Sequence, residues 1–284
     1  MALISFIPRI YNSPIDIVID QTGLHNWGFA MTYIHSILFI LHILFGTAAL
    51  ILFWVPIFTQ KGKLNHVKFG RYYANTMYTV AGTGALMAII VLTIPLVIRA
   101  GMISENTDTE KFAQIIRIFW VFLLYLSILS FTVTRHGIAV LRVKNNRTSL
   151  RKVSYLLPII ALVAGGPVIF YVGYVNEQTL HMVFGVLGLL VGITMLKYCL
   201  QKNIKNREWI LEHIGSMIGS GIGAYTAFLA FGGRTVLADW GQLQVLFWIA
   251  PGVIGSAASA LMCKKYKRIF TVIDEAPLYV KKMT

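Results

Sequence analysis

The residues able to do chemistry in this chain are its seven histidines. His35 and His42 lie seven residues apart inside one apolar run, so two helical turns, about 10 Å, return them to nearly the same stripe. His66 follows in a basic segment just before the next apolar run, Lys61-Gly-Lys-Leu-Asn-His66-Val-Lys-Phe-Gly70-Arg71-Tyr72-Tyr73. His136 adjoins Arg135, His181 opens the fifth apolar run, and His213 adjoins Glu212. His25 lies in the N-terminal tail. An imidazole in hydrocarbon is costly unless something bonds it, so each of these histidines marks a candidate site.

Placed along the apolar runs, the histidines fall into layers. His35 and His181 each sit about nine residues, roughly 13 Å, outward from the middle of their helices. His42 is near the midplane. His66, His136 and His213 lie near the opposite membrane face, roughly 25 Å from the first layer. Imidazoles paired from different helices at two depths suit a two-haem b protein that carries electrons across the bilayer, since each iron takes two axial nitrogens. In that reading the ligands come from His35, His181, His136, His213 and His42, and Arg135 and Arg71 meet haem propionates. A second reading gathers His66, His136 and His213 around one zinc with a water in the fourth position. Such a site would be a lipid-directed hydrolase with Glu208 or Glu212 as general base. A third reading needs no cofactor: the chain is a scaffold, a partner subunit or a small-molecule binder, and each imidazole is hydrogen-bonded within the packing. For the outer pair the nearest polar neighbours in sequence are then Ser36, Thr179, Gln178 and Tyr171. These three readings stay open on the residues alone, and with them the question of enzymatic activity.

The elements that must position these residues are transmembrane helices. The chain has 284 residues, of which 57% are apolar and 13% charged, with a mean hydropathy of +0.70. A soluble domain carries roughly 25% charged residues. Apolar runs of about 20 residues or more are long enough to cross a bilayer. They cover roughly residues 31–57, 71–98, 113–141, 153–174, 179–200, 209–231 and 243–263. The expected fold is therefore all-α: one transmembrane domain of seven helices over residues 31–284, preceded by an interfacial tail over residues 1–30.

The net charge of +14 would suggest nucleic acid in a soluble protein. Here the basic residues sit in loops, where topology and anionic lipid account for them. The expected partners are the lipid bilayer and a redox partner or other membrane subunit, with no nucleic acid. Twenty of the 25 lysines and arginines fall on one side, in the first, third and fifth loops and the C-terminus. The positive-inside rule then puts the N-terminus outside and the C-terminus in the cytoplasm. No span carries an acid or a lysine at its middle, which argues against proton pumps and ion-coupled transporters and against a retinal Schiff base. Cys199 and Cys263 have no zinc-type spacing and fall on the cytoplasmic side of this topology, where thiols stay reduced. Gly215, Gly219 and Gly223 recur every four residues, as do Gly188 and Gly192; with Gly82 and Gly84 they mark faces for close helix approach.

The loop His66-x-x-x-Gly70-Arg71-x-Tyr73 resembles that of a bacterial family of uncharacterised polytopic membrane proteins. The stretch from Glu212-His213-Ile-Gly-Ser through Tyr225-Thr-Ala-Phe228 resembles the same family, as does Pro251-Gly-Val-Ile-Gly-Ser. Together these stretches cover most of the chain outside the tail. The resemblance implies an integral protein of a bacterial inner membrane and brings no established activity. Similarity to b561-type two-haem cytochromes is remote: this chain has seven spans, not six, and places its histidines on different helices.

Overall fold

The computed structural model describes residues 24–233 and 244–275. Its architecture is all-α, with seven helices long and apolar enough to cross a membrane. They are α1 (Leu24–Phe58), α2 (Leu64–Thr93), α3 (Thr109–Val143), α4 (Val153–Val175), α5 (Thr179–Leu200), α6 (Glu208–Ala227) and α7 (Gln244–Glu275). A π-turn, Phe228–Gly232, extends α6. Most of the tail expected over residues 1–30 lies outside the described residues, but α1 already begins at Leu24. The helix α2 begins at Leu64, so His66 belongs to its first turn and not to the preceding loop.

Local chemistry sets the helix ends. Pro95 interrupts the second apolar run, so α2 stops at Thr93 and a separate turn, Pro95–Ile98, follows. A proline ring prevents the preceding residue from continuing a helix easily. Asp108 caps α3 by accepting the Lys111 N–H at 3.1 Å and opposes the helix dipole. At the end of α1 the carbonyls of Pro56 and Ile57 lack intrahelical donors. Lys61 Nζ supplies both bonds, each at 2.6 Å.

Three antiparallel hairpins, α1–α2, α4–α5 and α6–α7, pack about α3, which touches α2, α4 and α6. The main core cluster joins Phe122, Tyr125, Leu129, Val133 and Val140 of α3 to Ile159, Leu162 and Ile169 of α4 and Phe184 and Tyr198 of α5. The sides of α1 and α7 are largely apolar and exposed, as lipid-facing helices are.

Close approach uses some of the expected glycines. A Cβ on Gly192 would meet Val163 Cγ2 at 2.8 Å, and one on Gly188 would strike the Tyr125 ring. One on Gly84 would meet Ser127 Oγ at 2.7 Å. Gly82, Gly215 and Gly223 face open space, and packing does not require them. The two backbones meet directly at Gly166 and Gly185, where each Cβ would meet the other's carbonyl oxygen at 2.7 Å.

The helix α6 is tied across the bundle by polar bonds. Tyr73 Oη and Ser220 Oγ are 2.8 Å apart. The Trp54 indole donates to Tyr225 Oη at 2.6 Å, and Tyr225 donates onward to the Leu50 carbonyl at 2.8 Å. Two of the three stretches singled out in the sequence, 66–73 and 212–228, thus meet at the Tyr73–Ser220 bond.

Candidate functional site at the basic end of the bundle

The α1–α2, α3–α4 and α5–α6 connections lie at one end of the bundle, together with the basic part of α7. Arg147, 5% exposed, reaches from the α3–α4 connection to the carbonyls of Tyr198, Gln201 and Lys202 at the end of α5. Arg151 adds a bond to the Cys199 carbonyl at 3.1 Å. These arginines satisfy orphan carbonyls at a helix C-terminus, where a cation also suits the dipole.

Two consecutive residues of α3 meet two consecutive residues of α6 at this end. His136 Nε2 lies 2.9 Å from Glu212 Oε1. His213 Nδ1–H donates to the Gly137 carbonyl at 2.7 Å. Gly137 makes the approach possible: a Cβ there would meet Met217 Sδ at 2.7 Å and Ser216 Cβ at 3.2 Å. Neighbours on a helix are turned about 100° from one another, so the two bonds lead to different chambers.

The first chamber is buried. His136 is 1% exposed, and its Nδ1 lies 2.8 Å from Tyr155 Oη. When Glu212 is ionised it accepts from Nε2–H. A neutral ring then receives the Tyr155 O–H at Nδ1, whereas an imidazolium donates on both sides. Tyr198 meets the ring edge-on, with centroids 5.6 Å apart. The Arg135 guanidinium lies over the Tyr155 ring at 4.6 Å and donates to the Ser154 carbonyl. The hydroxyl oxygens of Tyr198 and Thr134 are buried and have no hydrogen-bond partner among the described residues. Glu212 is 27% exposed at its side chain, so this chain of groups runs from the surface inward.

The second chamber holds His66 and His213. His66 Nδ1–H donates to the Pro56 carbonyl at 3.0 Å. The two rings stand 6.5 Å apart between centroids, with planes at 75°. Burial, and then the charge of Lys265, holds the nearby Lys61 ammonium below the usual lysine range.

The other histidines are placed apart. His42 donates from Nδ1 to Thr83 Oγ1 at 3.1 Å, because the Thr83 proton is already given to the Thr79 carbonyl. His181, 2% exposed, stacks on Phe122 at 4.3 Å and donates from Nε2 to the Ile118 carbonyl at 3.2 Å. His35 meets Trp120 edge-on at 5.6 Å. Trp120 and Phe122 are two residues apart, about 200° around α3, so His35 and His181 lie on opposite faces of that helix. Neither Ser36, which bonds the Thr32 carbonyl, nor Gln178, which bonds the Asn176 carbonyl, serves these imidazoles. Arg71 is exposed, away from the buried chamber.

The outer histidines do not form an axial pair, because α3 stands between them. In the inner layer both nitrogens of His136 are engaged, by Tyr155 and Glu212. The residues present therefore do not fit the two-layer haem arrangement. The zinc triad does not form either: His136 turns away from His66 and His213. Among the described residues no group of three or more His, Cys, Asp or Glu side chains could hold a metal ion.

Sequence reasoning brought His136, His213 and His66 to one end of the bundle and missed Tyr155, Tyr198, Gly137 and Lys61 as their partners. Tyr155 is the third residue of α4. Its place one helix away from His136 leaves no mark in the spacing.

No family model, no curated protein and no solved structure matches this chain. What the fold itself defines is an integral membrane protein of seven helices.

Proposed function

We propose that this is a proton-responsive protein of a bacterial inner membrane, with its basic end in the cytoplasm. Its working centre is the relay Glu212–His136–Tyr155. One observation carries the reading: a fully buried imidazole bonded on one side to a carboxylate and on the other to a phenol, inside an apolar bundle. Ionisable residues at such depth are costly, and chains of acids and histidines are how membrane proteins move protons. Glu212 is the partly exposed entrance, His136 the exchanger and Tyr155 the inner terminus.

The relay also spans the seam between α3 and the α6–α7 hairpin. At the basic end that seam is held by the His136–Glu212 and His213–Gly137 bonds. Protonating Glu212 turns a charge-assisted bond into a neutral one, which is roughly half as strong. Proton exchange is thereby coupled to how firmly the hairpin holds α3.

The test is proton release by the detergent-purified protein in weak buffer, stepped between about pH 8 and about pH 5 where imidazole titrates. Glu212→Gln and His136→Gln should each remove the same component of the wild-type proton release. Identical titrations for all three proteins would refute the relay.

A further inference from the structure

We propose that His66 and His213 form a two-nitrogen site for a soft monovalent metal ion of the copper(I) type. The site is separate from the relay.

Three observations lead there. First, each ring is fixed by an Nδ1–H bond to a backbone carbonyl: Pro56 of α1 for His66 and Gly137 of α3 for His213. A proton held at Nδ1 leaves Nε2 as a lone pair, the usual outer-shell arrangement of a metal-binding histidine. Second, neither Nε2 has a hydrogen-bond partner among the described residues, and both rings are half-buried rather than sealed. Third, the separation of the rings is nearest one geometry. With a bond of about 2.0 Å and a ring centroid about 1.1 Å beyond the nitrogen, two imidazoles on one ion stand roughly 6.2 Å apart when linear and roughly 5.1 Å apart when tetrahedral. The observed centroids are 6.5 Å apart, slightly beyond the linear value and far from the tetrahedral one.

The surroundings select the charge of the ion. Lys61 lies beside the pair, with Lys265 near it in turn, and Lys61 Nζ is committed to the carbonyls of Pro56 and Ile57. Glu212 is committed to His136, and Glu208 accepts the Lys205 N–H at 2.7 Å. With no carboxylate free to ligate the ion among the described residues, and with Lys61 beside the pair, a single positive charge is tolerated better than two. Cys263 points its thiol to the Leu211 carbonyl at 3.9 Å, so the donor set remains two imidazoles. Binding is simple coordination: neither nitrogen has a proton to lose and no electron is exchanged.

The experiment is an anaerobic titration of the full-length protein in detergent with copper(I) against a chromophoric chelator, repeated with silver(I) as a redox-inert probe. One ion per chain should bind. His66→Ala and His213→Ala should each weaken it at least tenfold, while His42→Gln should leave it unchanged. X-ray absorption on the wild-type complex, which needs no variant to fold, should show two nitrogen neighbours at about 2.0 Å. Failure to compete with the chelator, three or more first-neighbour ligands, or full binding in both alanine variants would overturn the assignment.

Discussion

Replacing Glu212 by glutamine and by alanine separates a buried polar bond from a bystander charge. The two changes leave His136 in different states. Glutamine keeps an oxygen where Oε1 stood, so Nε2–H retains an acceptor and only the charge assistance is lost, a cost of about 0.5–1.5 kcal/mol. Alanine removes the acceptor altogether. Because His136 is 1% exposed, water does not replace it, and the stranded N–H costs about 2–3 kcal/mol. Part of the Glu212 side chain is in solvent, which places the glutamine value toward the lower end of its range. The assay is equilibrium unfolding in mixed detergent micelles, followed by helicity, with both variants beside the wild type. Alanine should be the more damaging by about 1 kcal/mol or more. The double variant His136→Ala, Glu212→Ala should lose less than the sum of its single changes, since the pair is one interaction. If glutamine and alanine cost the same, or if the double change is strictly additive, His136 does not depend on Glu212 and the reasoning fails.

Glycine substitutions should separate packing from open faces. Gly166→Ala drives a Cβ against the Gly185 carbonyl, which cannot move aside, and should cost about 1–3 kcal/mol. Gly215→Ala meets nothing within 4 Å and should be neutral or stabilising by up to about 1 kcal/mol; thermal unfolding in detergent reads both. Burial and Lys265 hold the Lys61 proton less tightly in the folded state than in the unfolded chain. The unfolded state thus binds more protons, and this residue's contribution to stability rises with pH through the window below about pH 10.4. A pH series of unfolding midpoints should show that rise, reduced in Lys265→Gln and absent in Lys61→Met. For orientation, a reporter that fluoresces only in the cytoplasm, fused after Thr284, should be bright; an inserted but dark fusion would contradict the inside C-terminus.

The sequence alone determined the architecture. Span length and hydropathy are local properties, and a bilayer demands that each span satisfy its own backbone, so seven apolar runs became seven helices without help from long-range contacts. It also determined that His66, His136 and His213 share one end, because depth follows from rise per residue. Rotation about each helix axis was not written there. Most of these helices are apolar almost all round, so no amphipathic stripe says which face turns inward. Only packing put His35 and His181 on opposite faces of α3. Only the α3–α6 contact at Gly137 turned His136 toward Tyr155 while sending His213 toward His66. The chemistry at the basic end is decided by those rotations, since a hydrogen bond closes within about 3 Å and depth along a helix is blind to angle.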